Sequence, residues 1–164
     1  MPTIERIGPD EWERARAIRV RALDDSADAF FVTAEQESAS TPAEWRQRLE
    51  RPDAVTFIAS VDGADVGLVV GSSHHQHEGD AGLYAMWVDP QARGTGVAEA
   101  LIGEVIEWAL AAGYRSLRLD VGDENPSAIG LYARLGFEPT GARFTFPHPR
   151  EHITEHERAL VLDR

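Results

Sequence analysis

The feature that most constrains the fold is residues 82–104, which read as a strand, a glycine-bearing turn and a helix. Residues 83–88 are apolar and aromatic, as expected of a buried strand, and Pro90 ends this run. From Val97 onward, apolar residues recur at helical spacing to about residue 112. The stretch therefore predicts a strand–turn–helix unit around which the rest of the chain is arranged.

The turn in this unit is suited to binding an anion. Arg93, Gly94 and Gly96 lie directly before the predicted helix. The first N–H groups of a helix have no partner within it, and the aligned peptide dipoles add partial positive charge there. Because glycine has no Cβ, a ligand can approach the backbone closely. The pattern predicts a site for a phosphate or pyrophosphate, with an ordinary strand-to-helix turn as the alternative.

Composition indicates one soluble domain, residues 1–164. The chain is 43% hydrophobic and 27% charged, as is typical of globular proteins. We expect neither a membrane span nor a signal peptide, because no apolar run approaches the roughly 20 residues that a span needs. The absence of cysteine excludes disulfides and thiolate metal sites and favours the cytoplasm. A net charge of −12 argues against nucleic acid and anionic membranes as partners and favours a cationic one.

The order of predicted elements is β, α, α, β, β, β, α, β, α, β, β. Asp62-Gly63 lies between two apolar runs and predicts a β-hairpin, so the first half of the sheet should be antiparallel. The motif strand, its helix and a strand at residues 116–121 predict a right-handed βαβ unit with parallel strands. Together these signals predict an α/β (α+β) domain with a mixed, partly parallel sheet of about seven strands and helices on both faces.

Local signals also place the ends of the early helices. Asp10 is predicted to cap the first helix, which runs to about residue 22. Residues 24–40 are predicted to be irregular. Thr41 and Glu44 form a capping box that opens a helix over about residues 42–50.

Two motifs resemble those of one family, the GNAT N-acetyltransferases, which use acetyl-CoA. Their pyrophosphate signature, Gln/Arg-x-x-Gly-x-Gly/Ala, follows a strand ending in Val-x-Pro. Residues 88–98 read Val-Asp-Pro-Gln-Ala-Arg-Gly-Thr-Gly-Val-Ala. The second motif is an Asn before a helix with Leu-Tyr and a closing Gly-Phe. Residues 125–137 read Asn-Pro-Ser-Ala-Ile-Gly-Leu-Tyr-Ala-Arg-Leu-Gly-Phe. The resemblance covers most of the chain and is strongest over residues 82–137.

The resemblance implies where acetyl-CoA binds. In this family two parallel strands splay apart, and the pantetheine pairs with the exposed backbone like an extra strand. A bulge in the motif strand would free those backbone groups. The cofactor-binding residues that the resemblance implies lie in the motif strand (Ala85, Met86, Trp87 and Val88), in the turn and helix start (Arg93, Gly94, Thr95, Gly96, Val97 and Ala98) and in the second motif (Asn125 and Tyr132).

The reaction that the resemblance implies is direct transfer of acetyl from the CoA sulfur to a primary amine. Tyr132 is predicted as the acid for the departing thiolate, with core packing as its alternative. Asp120, near the carboxyl end of a parallel strand, is predicted as the base, directly or through a water. Its alternative is a solvated charge facing Arg118 or Arg115. Weaker candidates for the base are Glu78, Asp80 and Glu35.

The acceptor is the least determined part of the prediction. Three aromatic residues either line the acceptor cleft or pack the early helices on the sheet: Phe30, Phe31 and Trp45. The acidic composition favours cationic acceptors such as small amines, polyamines, aminoglycosides or lysine-bearing peptides. A homodimer, common among such folds, stays open.

Three other interpretations compete. His74, His75 and His77 could form a metal site, but no second cluster of ligands accompanies them, so we predict no metal. A dinucleotide-binding domain is less favoured, because Glu99 stands where that fingerprint has its third glycine. A non-catalytic acyl-CoA-binding module stays open, because the same fold could bind acetyl-CoA without turnover.

Overall fold

The computed structural model, which describes residues 1–163, has the predicted order of strands and helices with one additional short helix between the first helix and the second strand. The strands are β1 (Thr3–Arg6), β2 (Ala54–Val61), β3 (Ala64–Ser73), β4 (Ala81–Val88), β5 (Ser116–Gly122), β6 (Glu138–Thr145) and β7 (Thr154–Val161). The α-helices are α1 (Trp12–Asp25), α2 (Ala34–Ser38), α3 (Pro42–Glu50), α4 (Val97–Ala111) and α5 (Pro126–Arg134). No helix among these residues is long and apolar enough to cross a membrane.

The strands form one mixed sheet in the order β1-β2-β3-β4-β5-β7-β6. Neighbouring strands are antiparallel except for β4 and β5, which α4 connects and which are parallel. The predicted mixed sheet, with its antiparallel first half and one parallel βαβ unit, is therefore confirmed. Pairing between β4 and β5 is limited to Ala81 with Leu117 and Gly82 with Arg118. Beyond these pairs the two strands separate, and this separation positions the site.

Helices cover both faces of the sheet, as predicted. On one face α1 and α3 pack on buried side chains of the central strands, among them Ile58, Leu68 and Trp87. On the opposite face the apolar stripe of α4, including the fully buried Leu101, packs on β2, β3 and β4. Helix α5 adds Tyr132 to that second core. We call the two sides the α1–α3 face and the α4 face.

Two local predictions at the start of the chain were wrong. Asp10 does not cap α1, because Pro9–Glu11 form a 3-10 turn and no side chain caps the helix that follows. Residues 24–40 are not irregular throughout, since they hold a 3-10 turn at Ala27–Ala29 and the short helix α2. The capping box at Thr41 is confirmed, because its side chain accepts a hydrogen bond from the Glu44 N–H.

Candidate active site

A β-bulge interrupts β4 just after its pairing with β5 ends. On β3, Leu68 pairs with Trp87 and Val70 with Tyr84, so two residues of β4 lie opposite one residue of β3. Ala85, at the bulge, has a φ of +56°, which a non-glycine residue rarely adopts. A bulge bends its strand and disrupts the ladder locally. The backbone of β4 beyond the pairing with β5 is thereby open to an extended ligand, which could add like a strand.

The glycine turn connects β4 to α4, so the start of α4 follows the end of β4 that comes after the bulge. Gly94 and Gly96 have φ values of +77° and +88°, where glycine avoids the steric cost of a Cβ. Gly96 is the N-cap of α4 and provides no side-chain cap. The first intrahelical hydrogen bond runs from the Ala100 N–H to the Gly96 carbonyl (3.1 Å), so the N–H groups of residues 97–99 precede it. This is the arrangement that binds phosphate groups at helix starts.

An ion pair ties the turn to the end of α1. Arg93 Nη2 donates to Asp25 Oδ2 (2.9 Å), and Arg93 Nε donates to the Val88 carbonyl (2.9 Å). Trp87 Nε1 donates to the same Asp25 oxygen (3.0 Å). Hydrogen bonds from Ser26, Trp87 and Arg93 lower the pKa of Asp25, the first contributing most. The guanidinium of Arg93 is about half exposed, so its outer edge is open to a ligand at the turn.

Helix α5 brings two predicted residues to the separated strands. Asn125 Oδ1 accepts from the Ala128 N–H (3.2 Å), so its side chain caps α5. Tyr132 is 6% exposed, and its ring meets Phe137 edge-on with centroids 5.8 Å apart. Burial, and to a lesser extent the charge of Glu155, raises the pKa of Tyr132. The phenol is therefore a neutral proton donor at physiological pH.

Three carboxylates line the α1–α3 face of β5 and β7. Asp120 lies directly opposite Glu157, and Glu155 is two residues from Glu157 on the same strand. Side chains two apart on a strand share a face, so Asp120, Glu155 and Glu157 project together. We call these three residues the acidic edge. Asp120 is exposed, and Arg118, one of the two arginines that the predicted solvated charge could face, binds Asp80 and Glu157 (both 2.8 Å).

Desolvation and mutual repulsion raise the pKa values of two residues of the acidic edge, Asp120 and Glu155. Desolvation raises the pKa of Asp120, the charge of Glu157 adds to this, and His75 opposes it. Burial first, and then Asp120, raises the pKa of Glu155 to about 7, against the opposing charge of Arg150. Carboxyl groups with a pKa near the operating pH are suited to proton transfer.

The weaker candidates for the base lie outside the acidic edge. Asp80 is buried and bound to Arg118 (2.8 Å). Glu78 lies in the turn before β4, where its carbonyl accepts from Arg115 Nη2 (2.8 Å). Glu35 is exposed on α2.

A cavity of about 270 Å³ lies between α1, α2, α3 and the central strands, on the same face as the acidic edge. We call it the arginine cavity, after Arg19, Arg48 and Arg51 in its lining. Of the predicted acceptor-cleft residues, Trp45 lines this cavity.

Phe30 and Phe31 have other surroundings. Phe30 is buried beneath the Arg19 guanidinium, with 4.9 Å between the guanidinium carbon and the ring centroid. Phe31 is 55% exposed, and its ring centroid lies 5.7 Å from that of Phe146. Neither residue is in the lining of the arginine cavity.

The ring of His74 packs against the other two histidines, stacked on His75 and tilted against His77. The ring of His74 lies 4.9 Å from those of His75 and His77, measured between centroids. Burial, and then its two histidine neighbours, lowers the pKa of His74. Residues 1–163 contain no group of three or more His, Cys, Asp or Glu side chains placed to hold a metal ion.

Glu155 and the arginine cavity were missed by sequence reasoning. The acidic alternation of Glu155 and Glu157 along the last strand was a usable signal, since it predicts two carboxylates on one face. The cavity had no such signal, because its arginines come from two helices and a loop.

Comparison with known proteins agrees with this geometry. The family described as "Acetyltransferase (GNAT) family" matches residues 19–137. An uncharacterized N-acetyltransferase of Methanocaldococcus jannaschii is 38% identical over 94 residues, 55% of this chain. The match covers 42% of that relative, so the chain corresponds to less than half of its length.

Solved structures also resemble the chain, among them the following two. The structure of yncA from Salmonella typhimurium, solved with its cofactor acetyl-CoA, has a TM-score of 0.77 and 18% identity, covering 100% of this chain and 95% of that one. The structure of nourseothricin acetyltransferase has a TM-score of 0.63 and 30% identity, covering 68% and 67%. The first likeness shows a shared fold, and the second adds sequence identity over two thirds of both chains.

Proposed function

This chain belongs to the acetyltransferase (GNAT) family, and from its geometry we propose that it moves acetyl from acetyl-CoA to a primary amine. The acceptor is a small molecule or a peptide, and transfer is direct, with both substrates bound together. The observation that carries the proposal is the bulged, unpaired backbone of β4 beside the glycine turn of α4. The solved structure named nourseothricin acetyltransferase supports a small-molecule acceptor.

The residues present fit acetyl-CoA. A Cβ built on Gly94 would meet nothing within 4 Å, so the turn has open space for a diphosphate. The unpaired backbone of β4 offers donors and acceptors to the pantetheine amides. The residues that we propose to bind acetyl-CoA are Ala85, Met86, Trp87, Val88, Arg93, Gly94, Thr95, Gly96, Val97, Ala98, Asn125 and Tyr132. Bound acetyl-CoA supplies a thioester whose carbonyl carbon bonds to the amine nitrogen while its bond to sulfur breaks.

The acidic edge has two tasks in this proposal. Its carboxylates attract the acceptor as an ammonium, and Asp120 then removes a proton, directly or through a water. Only about one part in a thousand of a primary amine is neutral near pH 7.4, which costs roughly 4 kcal/mol. Holding amine and thioester together can supply on the order of 7–11 kcal/mol, so positioning contributes more than proton transfer.

Tyr132 completes the proposed proton balance. Burial keeps its phenol protonated, so it can donate to the sulfur as the C–S bond breaks. The ammonium loses two protons on becoming the amide: the first goes to Asp120 and from there to solvent, and the second restores the phenol of Tyr132 after it has protonated the thiolate.

Two alternatives are tested by the same experiments. A dinucleotide-binding domain of the doubly wound type would have a largely parallel sheet, whereas the strands of residues 1–163 include one parallel pair. A non-catalytic acyl-CoA-binding module would bind acetyl-CoA without turnover. The cytoplasmic location and the homodimer stay predictions.

Calorimetric titration with acetyl-CoA tests the cofactor site, using Gly96→Ala and Gly63→Ala as a matched pair. Both glycines have a φ above +80°, but Gly63 lies in the hairpin between β2 and β3. Gly96→Ala should weaken binding roughly 10- to 150-fold, the equivalent of one lost hydrogen bond to a charged group. Gly63→Ala should bind as the wild type does.

Thiol release with a panel of amines, including nourseothricin, tests catalysis. Binding of NAD in place of acetyl-CoA would revive the dinucleotide domain. Tight binding of acetyl-CoA with no turnover of any amine would instead leave the acyl-CoA-binding module.

A further inference from the structure

The arginine cavity lies directly beside the bulge of β4. Its floor is formed by β2, β3 and β4, and its walls by α1, α2 and α3. Tyr84 and Ala85 belong to its lining, so it borders the strand segment proposed to hold the pantetheine. A group bound in this cavity is therefore a neighbour of the reacting thioester.

The cavity carries positive charge in a protein whose net charge is −12. Glu37, 5% exposed, accepts from Arg19 Nε (3.0 Å) and Arg48 Nη1 (3.1 Å). One carboxylate thus faces two guanidinium groups, and Arg51 is paired outside the lining with Asp53 (2.9 Å). The local balance leaves positive charge that no carboxylate of the lining neutralises.

Two buried donors of the lining have no partner among the described residues. They are Arg19 Nη1 and Trp45 Nε1. Trp45 is more than nine-tenths buried, and the Arg19 side chain is 15% exposed. Buried polar groups are nearly always hydrogen-bonded in folded proteins, and each exception needs an explanation. A hydrogen-bond acceptor of a ligand in the cavity would supply such an explanation.

Tyr84 lies between the arginine cavity and the acidic edge. Burial raises its pKa, Asp120 raises it further, and Arg51 opposes this. The Tyr84 side chain therefore interacts electrostatically with a carboxylate of the acidic edge and with an arginine of the cavity lining. Both groups lie on the α1–α3 face, so the site has a positive end and a negative end on either side of Tyr84.

We propose that the acceptor is a zwitterion, an amino acid or an amino-acid-like amine, whose carboxylate binds in the arginine cavity. The carboxylate accepts from Arg19 and Trp45, and the amine lies at the acidic edge beside the thioester. Guanidinium and carboxylate match in geometry as well as charge. A polyamine would instead place a second ammonium against the arginines, a like-charge contact that disfavours binding. The proposal rests on the proposed function and specifies its acceptor.

Matched acceptors test the proposal on the unmodified protein. The twenty common amino acids, their carboxamides and the corresponding decarboxylated amines are compared by thiol release at saturating acetyl-CoA. At least one amino acid should exceed its carboxamide and its decarboxylated amine in kcat/KM by roughly 10- to 150-fold, as expected for hydrogen bonds to a charged group. Because the comparison needs no variant, a folding defect cannot obscure it.

Variants then locate the carboxylate. Trp45→Phe removes the Nε1 donor and keeps an aromatic ring, so KM for the amino acid should rise roughly tenfold while kcat holds. Arg19→Gln should raise KM further. Arg46→Gln is the control. Arg46 is exposed on α3, the helix that carries Trp45, and its guanidinium lies over the Trp12 ring instead of lining the cavity. This variant makes the same change of charge as Arg19→Gln and should leave kinetics unchanged.

The outcomes separate this proposal from the proposed function. Failure of acetyl-CoA to bind in calorimetry would overturn the proposed function and this proposal with it. Binding of acetyl-CoA with equal turnover of carboxamides or decarboxylated amines would overturn the zwitterionic acceptor alone. Inertness of all twenty amino acids in a protein that binds acetyl-CoA would also overturn it.

Discussion

Protonation of Glu155 should couple the stability of this protein to pH. Burial and the charge of Asp120 raise the pKa of Glu155 from 4.5 to about 7. In the folded protein Glu155 therefore holds a proton, between these pH values, that the unfolded chain has released. Its contribution to stability is fully present below about pH 4.5 and is lost as pH rises through about 7.

The size of this effect follows from the same pKa values. A rise from 4.5 to about 7 corresponds to roughly 3.4 kcal/mol at 1.36 kcal/mol per unit. The side chain is only partly buried in a cleft open to solvent, so screening reduces this figure. We expect about 1.5 kcal/mol, which is roughly 3–6 °C in Tm for a chain of this length.

Glu155→Gln isolates the effect, because glutamine has nearly the same shape and does not ionise. Urea unfolding of variant and wild type is compared at pH 4.5 and pH 8.5. The free energy of unfolding of the variant, relative to wild type, should rise by about 1.5 kcal/mol between these values. Glu138→Gln on the exposed strand β6 controls for the loss of one negative charge. A difference that is constant with pH, or that shrinks as pH rises, would refute the reasoning.

Two further predictions concern the proposed proton transfers. Tyr132→Phe should lower kcat by roughly 10²-fold or more with little change in Tm, because the ring stays buried and only the proton donor is lost. Steady-state kinetics and thermal unfolding measure both quantities, and an unchanged kcat in a folded variant would remove Tyr132 as the acid. Asp120→Asn should lower kcat/KM by roughly 10²–10⁴-fold. If that variant kept the full pH–rate profile, Asp120 would be excluded as the base and Glu155 would take its place as the candidate.

The parts of the fold that sequence predicted are those with local causes. The strand–turn–helix at residues 82–104 was predicted because the hydrophobic period changes at a glycine turn. The capping box at Thr41 and the hairpin at Asp62-Gly63 also depend on a few adjacent residues. The cap assigned to Asp10 was wrong because Pro9–Glu11 form a 3-10 turn ahead of α1.

The parts that sequence could not predict depend on contacts between residues that are far apart in the chain. Arg93 meets Asp25 across 68 positions, so the ion pair that ties the turn to α1 has no local signature. Glu155 reaches the acidic edge because β7 pairs with β5, and sequence does not fix that register.

The net charge of −12 favoured a cationic acceptor, but charge at a binding site acts over short distances. At physiological ionic strength the Debye length is about 8 Å, so exposed carboxylates farther away contribute mainly to the encounter. In the proposed complex, the acceptor would lie between Arg19 and Arg48 of the arginine cavity and Asp120 and Glu155 of the acidic edge. Close, partly buried contacts therefore decide which amine is held, and a ligand that carries both charges satisfies both sides. A wholly cationic amine gains only from the acidic edge and must leave the arginine cavity without a partner.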